Sequence, residues 1–88
     1  MSHAFYSDEA EKVFAELSVF EKQAVETTRT ALQIEPRQGE RRTTYDPSVE
    51  EYIVRIAEGT TRGRGISVLY RYHRDMDAVL IMWLIVGP

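Results

Sequence analysis

Hydrophobic positions follow two different rhythms along this chain. From Ala10 to Leu32 they recur at helical spacing, and from Tyr52 onward they alternate or run together as strands do. Ala10, Val13, Phe14 and Leu17 form one apolar stripe. Ser7 precedes it as a helix cap, and Asp8 and Glu9 occupy the first turn, where the helix dipole favours negative charge. Ser18 breaks the stripe and, with Glu21 three residues on, carries the signature of a capping box. A second helix then runs through Phe20, Ala24, Val25, Thr28, Ala31 and Leu32 and stops before Pro36. So tight a junction predicts an αα-hairpin. Neither helix can bury its stripe alone, so apolar surface must lie beneath them.

The strand signals supply that surface. His3 to Ser7 reads as a short aromatic edge strand, and Pro36 to Pro47 as a polar connector. From Glu51 to Glu58 the chain alternates, with Tyr52, Val54 and Ile56 on one side and Ile53, Arg55 and Ala57 on the other. Gly59 to Gly65 is a glycine-rich turn, Ile66 to Tyr72 a further strand, and His73 to Asp77 a turn again. The run from Ala78 to Val86 is apolar without alternation, which predicts a strand in the middle of the sheet, covered on both faces. The predicted order is β-α-α-β-β-β. This is an α+β fold, one domain over residues 1–88, with a helical hairpin on one face of a small antiparallel sheet and the first strand beside the last. Two helices cover only one side of such a sheet. The last strand would then expose either Val79, Ile81, Trp83 and Ile85, or Leu80, Met82, Leu84 and Val86, on the other. An apolar patch of that size calls for a partner.

Composition narrows the setting. Eighty-eight residues suffice for one modest core, and the absence of cysteine removes disulfides and thiolate metal sites. A cytoplasmic setting is the simplest expectation. The N-terminus has no basic segment leading into an apolar one, so no signal peptide is expected. The nine apolar residues from Ala78 to Val86 are far short of the roughly 20 that span a bilayer, so no membrane partner is expected. No metal-ligand spacing is present and no cofactor is implied. The net charge is −3, yet eight of the nine arginines fall between Arg37 and Arg74. Arginine favours planar, bidentate contacts to carboxylate or phosphate.

Several residues carry candidate chemistry. His73 with Arg71, Arg55, Tyr70 and Tyr72 could supply an acid–base group and cations for RNA cleavage, although His73 reads first as a solvated turn histidine. Arg62 and Arg64, flanked by glycines, could clamp a phosphate or form a solvated loop tip. Arg41 and Arg42 read as solvated connector or as part of a partner groove. Arg55 and Arg71 fall on the sheet face away from the helices, among Ile53 and Leu69. Trp83 is either core filler or the anchor of an interface.

The short first strand, "SDEAEKVFAEL", the second helix ending in "ALQIEP", the paired "YIVRI" and "ISVLYRY", and the final "DAVLIMWLIVG" together resemble the RelE/ParE toxin superfamily of bacterial toxin–antitoxin modules. The resemblance spans nearly the whole chain. It implies a compact toxin neutralised by a cognate antitoxin. RelE-type members cut ribosome-bound mRNA, and ParE-type members act on DNA gyrase without the nuclease residues. Carried over residue by residue, the basic second-strand positions fall on Ile53 and Arg55 and the third-strand arginine on Ser67, while the groups after the final strand fall beyond Pro88. Most of the ribonuclease set is thus absent. The expectation is a toxin-like component acting mainly by protein binding. The alternatives are a non-catalytic homodimeric interaction domain, or at most a weak mRNA endoribonuclease with a degenerate site at Arg55, Arg71 and His73.

Overall fold

The computed structural model describes residues 1–87. Its elements are β1 (His3–Tyr6), α1 (Asp8–Ala15), α2 (Val19–Ile34), β2 (Glu40–Arg42), β3 (Val49–Ile56), the single turn α3 (Glu58–Thr61), β4 (Ile66–His73), a 3-10 turn (Arg74–Met76) and β5 (Ala78–Val86). The strands form one sheet in the order β1-β5-β4-β3-β2. Three of its pairs are antiparallel, and β1 lies parallel to β5.

Both helices begin where capping chemistry places them. The Ser7 hydroxyl accepts the Ala10 N–H at 3.1 Å. Ser18 and Glu21 complete the reciprocal capping box, at 3.2 Å and 2.9 Å. Ala10 of the first helix and Leu17 in the turn after it, with Val25 and Leu32 of the second helix, close over Val68 and Tyr70 of β4 and Val79, Ile81 and Leu84 of β5. Among the described residues no helix is long and apolar enough to cross a membrane.

Four expectations change. The polar connector contains a strand, β2, that pairs with β3 and makes the sheet five-stranded. Its approach is pinned by Tyr70, whose hydroxyl donates to the Pro36 carbonyl at 2.8 Å and accepts the Gly39 N–H at 3.1 Å. A Cβ on Gly39 would lie 2.9 Å from both Ile53 O and Tyr70 Oη, so only glycine lets the chain come so close. The second predicted strand is displaced toward the N-terminus, spanning Val49–Ile56. The glycine-rich turn folds into α3, closed by Arg62 in the left-handed region at φ 59°.

The last strand is interior, flanked by β1 and β4, although β4 holds the middle of the sheet. It is covered on one face only, and neither alternating set of its residues is the exposed one. A bulge faces Leu69 with Trp83 and Tyr70 with Ile81, leaving Met82 as the extra residue. Parity reverses there. Val79 and Ile81 point into the core before the bulge, and Leu84 does so after it. Trp83 and Ile85 are exposed on the opposite face.

Candidate functional site

The sheet face away from the helices is open. Phe5 of β1 lies beside Leu80 of β5, and with Trp83 and Ile85 it forms the apolar half of this face. Phe5, Trp83 and Ile85 each leave about half of their surface in water, at 56%, 46% and 54%. Leu69 stands opposite Trp83 and, on its other side, opposite Ile53. Beyond Leu69 the face becomes charged, with Arg71 and Glu51 facing each other, Arg55 opposite Ser67, and Glu40 and Arg42 on the edge strand.

Carboxylates hold these arginines. Arg71 donates to Glu51 at 3.2 Å, and Arg42 approaches the same carboxylate at 3.4 Å. Arg55 pairs with Glu40 at 2.8 Å, both groups largely in water. That exposed pair holds its partners weakly, and either can swing away. Arg55 and Arg71 share a face without converging, because the residue opposite Arg55 stands four positions from Arg71, about 13 Å along the strand. His73 ends β4 at the Val49 level, about 20 Å from Arg55. The expected trio of Arg55, Arg71 and His73 is therefore spread along the sheet, with only Arg71 and His73 as neighbours.

A second set of arginines gathers on the helix side. Glu50, buried at 3% exposure, accepts a bidentate contact from Arg37 at 2.8 Å and 3.1 Å. It also meets Arg41 at 3.8 Å and Arg74 at 3.4 Å, and accepts the Tyr52 hydroxyl at 2.5 Å. These donors, Arg37 foremost, hold the Glu50 carboxyl at about 2, below its usual 4.5. The adjacent residues Glu50 and Glu51 thus project to opposite faces and together engage five arginines. One end of an acidic protein is locally positive.

Arg64 grips buried Glu21 through two contacts of 3.1 Å and ties the loop after α3 to the start of α2. Arg64 and the Ser18 backbone hold Glu21 at about 2. Arg62 is exposed and stands 4.5 Å over the Phe20 ring. Arg41 and Arg42 belong to β2 rather than to a loose connector, one on each face. Tyr72 is buried on the helix side, its hydroxyl donating to Asp77 at 3.0 Å, and so is not a surface contact. Trp83 is a surface aromatic, not core filler. Glu40, Glu50, Glu51, Arg37 and Arg74 were not among the candidates read from the sequence. Their only signal was the Glu50–Glu51 doublet, which an alternating strand must divide between its two faces.

No family model matches the chain, and no curated protein sequence does. Solved structures do. The isolated E. coli RelE toxin superposes with a TM-score of 0.75 at 12% identity, over 100% of this chain and 86% of that one. A chain of the intact E. coli RelBE toxin–antitoxin complex matches at the same TM-score and 11% identity, over 100% and 98%. The chain has a RelE-like toxin fold. Within the RelE-like frame, Ile53, Arg55 and Ser67 all belong to the open face. Only Arg55 of the three carries charge, and its nearest partner is Glu40.

Proposed function

We propose that the chain is the toxin-like component of a toxin–antitoxin pair and acts mainly by binding protein through the open sheet face. The observation that carries this reading is the RelE-like fold over the full chain, shared with a chain of the RelBE complex. The composition of the open face supports it. An apolar half anchored by Phe5, Trp83 and Ile85 grades into an arginine-rich rim, as a protein interface with an aromatic anchor and polar margin does. The rim suits a partner segment that is apolar at one end and acidic at the other. A cognate antitoxin is the first such partner, and the cellular target is a second protein competing for the same face. The spread of Arg55, Arg71 and His73 weighs against RNA cleavage, which needs acid, base and cations within reach of one phosphate.

Induced expression in a bacterial host tests the reading. Growth arrest is expected, with relief when a cognate antitoxin, sought in the adjacent genes, is co-expressed and co-purifies with it. Normal growth at high expression, with no co-purifying partner, would sink the proposal.

A further inference from the structure

The outward side of α2 carries a stripe that is uncharged along its middle and flanked by charge. Phe20, Gln23, Thr27, Thr30, Ala31 and Ile34 line two shallow grooves that share Gln23 and Thr27, with Arg62 on the flank of the first and Glu26, held by Arg29 at 2.6 Å, on that of the second. The first, about 350 Å³, lies between α2 and α3, and the second continues toward Ile34. Phe20 and Ile34, at its two ends, are 46% and 72% exposed. Phe20, Gln23, Thr27, Ala31 and Ile34 follow one another at intervals of three and four, the spacing of a helix–helix seam. Core packing does not account for this stripe, since α2 buries Val25 and Leu32 on its other side.

Charge at the two ends says what fits there. Arg62 stands over Phe20 at one end and is the one arginine without a carboxylate within 4 Å among the described residues. At the other end Glu35 caps the helix, exposed and likewise without a cation within 4 Å among the described residues. On a helical projection at 100° per residue, Glu35 falls on the Thr28 flank, the side on which α3 and Arg62 lie.

We propose that this stripe is a dimer interface that packs α2 antiparallel against α2 of a second copy, with Thr27 at the two-fold axis. Phe20 then meets Ile34 of the other copy, and Gln23 meets Ala31. A two-fold axis across both helices reverses their ends and preserves their flanks, so Arg62 of each copy faces Glu35 of the other. The ion pair forms twice. A parallel pairing would send these flanks to opposite sides and leave both charges unmatched, so the charges select the antiparallel arrangement. Small residues at Thr27 and Ala31 allow close approach. The dimer leaves the open sheet face free, so a target or antitoxin can bind both copies.

Sedimentation equilibrium of the full chain over a concentration series tests the interface. The unmodified chain should be a dimer. Arg62→Glu or Glu35→Arg should raise its dissociation constant at least about tenfold, and the double exchange should restore it. Thr27→Glu, which sets two like charges at the axis, should give a monomer. All three positions are exposed, so circular dichroism should report an unchanged fold. A monomer at every concentration would overturn the proposal, as would a dimer indifferent to Arg62→Glu and Thr27→Glu. A dimer that Trp83→Glu dissociates instead would put the second copy on the sheet face and equally overturn it.

Discussion

Glu50 organises more positive charge than any other side chain among the described residues. It is nearly inaccessible, yet the arginines around it keep their outer nitrogens in water. Glu50→Gln should therefore cost about 1–3 kcal/mol in urea unfolding, below the cost of stranding a fully buried charge, because the arginines can turn outward. Acid should reproduce the effect. Glu21 and Glu50 sit at about 2 in the folded protein, against an ordinary 4.5. A carboxyl held below its unfolded value stabilises the fold at every pH above that value and loses its contribution as pH falls through the folded one. Stability should thus be level above about pH 5 and fall steadily toward pH 2, and the variant carrying both Glu21→Gln and Glu50→Gln should show a flatter decline. The arginines were legible in sequence as candidate ligands for anions, but their anions proved to be the protein's own. Glu21 and Arg64 are 43 residues apart, and no local pattern says that they meet.

At the scale of elements, what was legible is what local chemistry dictates. Ser7 and Ser18 cap the helices they were expected to cap. Ser18→Ala should cost about 1 kcal/mol in thermal unfolding, within the usual range for a lost cap. It should leave Arg64 in place, because the Glu21 carboxylate accepts the Ser18 backbone N–H, which alanine keeps. The short strand β2 was hidden because Glu40, Arg41 and Arg42 are all exposed and carry no apolar alternation. Its position comes from Tyr70 and Gly39, a tertiary cause. The parity change in β5 was hidden for a different reason: an unbroken apolar run looks the same whichever way each side chain points. Met82 absorbs the change, and its carbonyl accepts the Ser7 hydroxyl at 2.7 Å. Deleting Met82 should remove the bulge and set Trp83 directly after Ile81, so that continuous alternation keeps Leu84 toward the helices and Trp83 and Ile85 toward water. Cooperative unfolding with Trp83 fluorescence still that of a solvated indole is the expected result, and a deletion variant that buries Trp83 or loses cooperative unfolding would refute the role given to the bulge.

For the whole molecule, the α+β order and the pairing of the last strand beside the first were readable from periodicity, and the RelE-like fold from the order of the pieces. The open face followed from counting, since two helices cannot cover both sides of a sheet. Which residues occupy that face depended on the bulge and had to be seen. The central claim is that this face works by contact, through Trp83 and its apolar neighbours, and not by cleavage at Arg55, Arg71 and His73. Growth arrest by two variants in one host tests it most directly. The triple variant Arg55→Ala, Arg71→Ala, His73→Ala is predicted to arrest growth as the unmodified chain does, while Trp83→Glu, folded and equally expressed, is predicted to be harmless. A harmless triple variant beside a fully toxic Trp83→Glu would contradict the account.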